Sequence, residues 1–226
     1  MASSYPIFLN LQGLPCVVIG TGRVAERKVR GLLEAGAYVA VIDSQPAPKL
    51  VEMESQRLIR IERRAYRPGD LQGMFLAIVA SGDPGLNHAI WEEARQRGVP
   101  VNVVNDLAHS SFVAPAICRQ GNLTVAISTG GKSPALAVRV RDRIAALIGP
   151  EHAVLLELLG ELREEVTALI SDFAARKALW YRLIDSDVIE FVRRNDLLGA
   201  RQRIAQLLQE ARQLSHHPPQ AELSDG

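Results

Sequence analysis

Gly20, Gly22 and Ala25 stand at G-x-G-x-x-A spacing, and Asp43 follows about 20 residues after the glycines. Residues of these types in this order can hold a dinucleotide. Gly20 permits a tight turn, Gly22 lets backbone approach a pyrophosphate, and Ala25 lets a helix pack close to a strand. A carboxylate at Asp43 would accept hydrogen bonds from ribose hydroxyls and repel a 2′-phosphate, which selects NAD. The expected cofactor contacts are Gly20, Thr21, Gly22, Arg23, Val24, Asp43, Ser44, Ser81 and Gly82.

A second set of candidates follows. Asn105 and Asp106 come after the apolar run Val101–Val104, and His109 lies three residues on. The run Ser128-Thr129-Gly130-Gly131-Lys132-Ser133-Pro134 has a phosphate-loop look but lacks G-x-x-x-x-G-K-[ST] spacing. Its glycines and the helix start after it suit a carboxylate, and a simple capped turn explains the same residues. Arg119, Arg139, Arg141 and Arg143 lie in or beside this segment; they suit a polyanion, or form an ordinary solvated face. His88 and His109 belong to no metal-spaced cluster, so no metal site is expected; the paired His216-His217 read as solvated tail residues.

The elements that must position these groups are legible as period and punctuation. Cys16–Ile19 reads as a buried strand, and Val24 to Ala35 as an amphipathic helix capped by Gly36. Tyr38–Ile42, Leu58–Glu62, Phe75–Ala80 and Val101–Val104 read as further strands, with a short helix from Lys49 to about Arg57. Asp83 and Pro84 suit the N-cap and first turn of a helix running to Gly98. Strands alternating with helices predict a doubly wound parallel sheet, a Rossmann-type fold with its ligand crevice at the carboxyl ends of the strands. Phe112–Cys118 and Leu123–Ser128, around a turn at Arg119–Asn122, predict a β-hairpin. Ser133 and Pro134 would start a helix from Ala135 to about Ile148, and from Glu151 the pattern is helical. The expected organisation is therefore 1–112 as the NAD-binding domain, 113–150 as a hairpin and helix, 151–214 as a helical region and 215–226 as a tail.

The chain has 226 residues, with 26 Lys and Arg against 25 Asp and Glu. That near-balance gives no electrostatic reason to expect nucleic acid or an anionic membrane surface. No apolar run reaches the roughly 18 residues of a membrane span, and the first residues lack the pattern of a secretory signal. Two cysteines, Cys16 and Cys118, form no C-x-x-C pair. The expectation is a soluble cytoplasmic protein.

Four stretches together resemble the precorrin-2 dehydrogenase family, the NAD-binding module of siroheme synthases. They are Tyr5-Pro6-Ile7-Phe8-Leu9, Gly20 to Lys28, Asn102-Val103-Val104 and Ser128 to Pro134. The resemblance runs over about residues 5 to 150. It implies NAD-dependent oxidation of the tetrapyrrole precorrin-2 to sirohydrochlorin, with ferrous iron insertion in some members. It also implies a homodimer, with residues 113–150 as the dimerisation region. His109, Ser128, Gly130, Gly131 and Lys132 become the expected substrate contacts, and Ser128 matches a serine that can be modified in fused members.

One position departs from the family's pattern. The family's strand ending Asn-Val-Val is commonly followed by an Asp, and that Asp falls here on Asn105, with Asp106 next. An amide cannot take a proton near neutral pH, whereas a carboxylate can. Asn105 and Asp106 are therefore the expected catalytic positions, and dehydrogenation with weak or absent iron insertion is the expected outcome. A bifunctional dehydrogenase and ferrochelatase is one alternative. An NAD-sensing regulatory module, which would need no Lys132 loop, is the other.

Overall fold

In a computed structural model, residues 4–216 are described, and they fall into two compact units. The first comprises the residues up to Pro115 together with Ser128–Pro134; the second comprises Ala116–Ile127 and the residues from Ala135 onward.

The first unit is built from β1 (Pro15–Ile19), α1 (Gly22–Glu34), β2 (Tyr38–Ile42), α2 (Pro48–Ser55), β3 (Ile59–Glu62), β4 (Leu76–Val79), α3 (Pro84–Arg97) and β5 (Val101–Val103). The strands form one parallel sheet in the order β3-β2-β1-β4-β5, so the chain reverses its direction of travel between β1 and β4. That reversal opens a crevice at the carboxyl ends of these two strands. Ile19 is in register with both Ile42 and Val79, which places the Gly20 turn at the crevice.

Alternate strand residues face opposite layers, and both layers are apolar. Cys16 and Val18 pack with Ala25, Val29 and Leu32 of α1. Val17, Ile19, Ala77 and Val79 pack with Ile90 and Ala94 of α3. Burying each such Val or Ile side chain contributes roughly 1.5–3 kcal/mol, and this burial on both faces is why β1 and β4 read as unbroken apolar runs. Asp83 caps α3 with a carboxylate that accepts from Gly85 N at 2.9 Å and Leu86 N at 3.2 Å.

The second unit holds the antiparallel hairpin β6 (Ala116–Gln120) and β7 (Leu123–Ile127), then α4 (Pro134–Leu147), α5 (Pro150–Glu161), α6 (Arg163–Leu169), α7 (Phe173–Ile184), α8 (Val188–Arg193) and α9 (Leu197–His216). Its core is formed by Leu155, Leu158, Val166, Leu179, Leu183, Val188, Ile204 and Leu207, among others. The hairpin rests on α5, where Asn122 Nδ2 donates to Glu157 Oε1 at 2.7 Å.

Several local bounds differ from expectation. β6 begins at Ala116 and runs through Gln120, leaving a Gly121-Asn122 turn between the strands. Phe112 instead packs against the first unit's core, and its carbonyl accepts from the buried Asn102 Nδ2 at 3.0 Å. The helical pattern from Glu151 is broken at Leu162 into α5 and α6, a break too short to disturb the apolar period. Leu197 and Leu198 start α9, separate from α8. The tail expected from 215 is helical at its first two residues, and from 217 it lies outside the described residues.

Candidate active site

The chemistry of the first unit gathers at the carboxyl edge of its sheet. Gly20 has φ +105°, and a Cβ there would stand 2.6 Å from the Ala80 carbonyl oxygen, so the turn is folded hard against the end of β4. Gly22 has φ +86°, with nothing within 4 Å of where a Cβ would project. The two glycines thus do different work: one packs, the other leaves a cradle open.

Helix α1 begins behind that cradle without a side-chain cap and without an acidic residue in its first turn. Its first N–H groups are unspent, in contrast to α3, whose donors are taken by Asp83. An open glycine face in front of uncapped helix donors fits a pyrophosphate. Thr21 is the N-cap by position, but its hydroxyl accepts the backbone N–H of Ala47 at 2.7 Å. It ties the glycine turn to the loop after β2. Asp43 opens that loop, half-buried, with Oδ1 accepting from Gln45 N at 2.7 Å; Ser44 is exposed beside it. Ser81 and Gly82 follow β4, where Ser81 Oγ accepts from Asp83 N at 3.0 Å. Arg23 is exposed and Val24 half-buried in the first turn of α1.

The loop after β5 is pinned back along that edge strand. Ser111 Oγ accepts from Val101 N at 2.8 Å and Ser110 Oγ from Val103 N at 2.9 Å. Ser110 Oγ also donates to Asp106 O at 2.6 Å. Asn105 takes the left-handed conformation, φ +63°, which Asn tolerates better than most side chains. Asp106 turns its carboxylate into its own loop. Oδ1 accepts from Ala108 N at 3.1 Å and His109 N at 3.2 Å, and Oδ2 meets His109 Nδ1 at 2.7 Å. The His109 ring and backbone N–H groups hold this carboxyl below the usual carboxylate range, outweighing the opposing effect of partial burial.

His109 continues to a residue absent from the expected site. Its Nε2 lies 3.2 Å from His88 Nδ1, with the two rings nearly perpendicular. Trp91, one turn further along α3, packs edge-on to His109 and tilted against His88. The i,i+3 spacing of His88 and Trp91 was readable; their meeting with His109 depends on β4, α3 and β5 being neighbours.

The Ser128–Lys132 loop belongs to the same unit. A Cβ on Gly131 would collide with Leu107, so this loop is packed against the one carrying Asn105 and Asp106. Gly130 N donates to Ser128 Oγ at 3.2 Å and Lys132 N to Thr129 O at 3.1 Å; the Lys132 side chain is exposed. All four arginines, Arg119, Arg139, Arg141 and Arg143, fall in the second unit, and Arg141 is engaged by Asp142. Among the described residues, no group of three or more His, Cys, Asp or Glu side chains is arranged to hold a metal ion. No described helix is long and apolar enough to cross a membrane.

Three family models match the chain in succession: a putative NAD(P)-binding family over residues 7–116, a sirohaem biosynthesis protein central region over 120–147, and a sirohaem synthase dimerisation region over 152–208. The siroheme synthase of Methylococcus capsulatus is 40% identical over 185 residues, covering 82% of this chain and 39% of that protein. That of Chromobacterium violaceum is 35% identical over 197 residues, covering 87% and 42%. The chain thus spans less than half the length of these curated relatives. A solved structure named SirC, precorrin-2 dehydrogenase, shares the fold at a TM-score of 0.72 and 24% identity, over 91% of this chain and 100% of that one.

Proposed function

We propose that this chain, matched in succession by NAD(P)-binding, sirohaem central and sirohaem synthase dimerisation models, oxidises precorrin-2 to sirohydrochlorin with NAD. The observation that carries this reading is the amino end of α1. It is uncapped, it stands behind the open face of Gly22, and it is latched through Thr21 to the loop that begins with Asp43. Gly20, Gly22 and the first N–H groups of α1 would hold the pyrophosphate, and Asp43 the adenosine ribose, with Ser44, Ser81, Gly82, Arg23 and Val24 around them. Bound NAD would supply the two-electron oxidation by accepting a hydride. The Lys132 ammonium and the loop from Ser128 to Gly131 would receive carboxylates of the macrocycle, with His109 beside them. Asn105 and Asp106 line the loop against which that segment packs.

We assign the active form to a homodimer. The dimerisation region matched over residues 152–208 supports it, and the exposed apolar side chains of Ile117, Val138 and Leu147 on the hairpin and α4, within the 113–150 segment expected to dimerise, offer a further surface. A monomer in sedimentation at micromolar concentration would remove this assignment. We assign the reaction to the cytoplasm, consistent with Cys16 and Cys118 both being free thiols. The test of the activity is anaerobic turnover. Added precorrin-2 should drive NADH formation that depends on both reactants, and no reduction of NAD would reject the proposal.

A further inference from the structure

The acid next to the expected catalytic position does not act alone. An ionised carboxylate is an acceptor only, so at the Asp106 contact His109 Nδ1 carries the hydrogen and donates it. In neutral His109 the lone pair is then on Nε2, and the contact to His88 Nδ1 must be a hydrogen bond donated by His88. The same logic leaves His88 with its lone pair on Nε2. Three side chains thus share one donor direction, from His88 through His109 to Asp106, and the basic atom sits on the exposed ring of the series. His88 is in the second turn of α3, just after the Ser81–Asp83 segment that ends β4. Trp91 backs both imidazoles, and the guanidinium of Arg95 lies over Trp91. Arg95 in turn meets Glu92 at 3.4 Å on α3.

We infer that His88 Nε2 is the proton acceptor of the dehydrogenation, with His109 and Asp106 as positioning residues that fix its tautomer and ring orientation. This inference rests on the proposed oxidation of precorrin-2. That reaction removes two hydrogens: one leaves with its bonding pair as the hydride that NAD accepts. The other leaves as a proton, and its bonding pair stays in the macrocycle as a new double bond. The proton goes to His88 Nε2, the Nδ1 proton of His88 passes to His109 Nε2, and the resulting His109 imidazolium faces the Asp106 carboxylate. Solvent at the exposed His88 ring returns the series to its starting state. Asp106 itself is a poor direct acceptor because three N–H donors already stabilise its charged form. The relay supplies what the amide at Asn105 cannot.

The test has a structural and a kinetic arm. In histidine-labelled enzyme without substrate, long-range proton–nitrogen correlation spectra should show both His88 and His109 as Nδ1–H tautomers near neutral pH, assigned with His88→Gln and His109→Gln. Asp106→Asn should disturb the His109 tautomer. In turnover, His88→Gln should lower kcat about a hundredfold, the usual scale for a positioned base, with little change in KM for NAD. It should also lose the acidic limb of the kcat profile, and added imidazole should rescue His88→Ala. An Nε2–H tautomer at His109, or an unchanged kcat and pH profile in His88→Gln, would overturn the relay while the dehydrogenase reading stands. Wild-type protein that carries both Nδ1–H tautomers yet never reduces NAD with precorrin-2 would overturn the dehydrogenase reading, and the acceptor role with it.

Discussion

The Thr21 hydroxyl accepts the backbone N–H of Ala47 at 2.7 Å, which joins the glycine turn after β1 to the loop after β2. The pyrophosphate and ribose parts of a dinucleotide would contact these two segments separately, so the bond sets the distance between them. Thr21→Val keeps the shape and removes the acceptor. NAD should bind more weakly, and the fold should lose about 1 kcal/mol, the net worth of one hydrogen bond. Calorimetric titration with NAD measures the first and a melting curve the second.

Gly20 and Gly22 should fail in different ways. Alanine at 20 would drive a Cβ into the Ala80 backbone and adopt φ +105°, so Gly20→Ala should destabilise the first unit by roughly 3 kcal/mol. Alanine at 22 meets nothing in the chain and bears only the left-handed strain of roughly 1–2 kcal/mol. Its methyl would occupy the open cradle, so Gly22→Ala should fold and lose NAD affinity. Denaturant unfolding beside NAD titration of the two variants separates the effects.

Asp43 should set the choice of cofactor. Its carboxylate suits ribose hydroxyls and opposes a phosphate on the same ribose. Asp43→Ala should weaken NAD binding and narrow the preference over NADP, read as the ratio of kcat/KM for the two. Equal use of both by the unaltered protein would contradict this assignment.

Iron insertion should be slow. It must strip two pyrrole protons and admit a metal, whereas hydride transfer depends chiefly on placing two reactants together. The family resemblance puts an acid where this chain has Asn105, and Asp106 is turned into its own loop. Asn105→Asp should raise the rate of iron insertion into sirohydrochlorin and change dehydrogenation by no more than a few-fold. Efficient insertion by the unaltered protein would overturn this expectation.

The parallel sheet was readable because each signal was local. Unbroken apolar runs at Val17–Ile19 and Leu76–Val79, the Asp83-Pro84 helix start and the Gly98 stop lie within single elements. The glycine cradle and Asp43 were readable for the same reason. What escaped depends on which elements become neighbours. His88 and His109 lie 21 residues apart and meet because α3 and the loop after β5 share one edge of the sheet. Phe112 looked like the start of the hairpin, but Ser110 and Ser111 turn their segment back along β5 and carry Phe112 into the first unit. Pairing of serine hydroxyls with an open strand edge leaves no period in the sequence.

The most direct measurement is the anaerobic stoichiometry of a single limiting addition of precorrin-2 to the enzyme with excess NAD. One NADH and one sirohydrochlorin should appear for each precorrin-2 consumed, and the same addition to Gly22→Ala should yield neither at a comparable rate. Protein that binds NAD tightly but leaves precorrin-2 and NAD unchanged would contradict the account, and would instead describe a chain that senses the cofactor without using it.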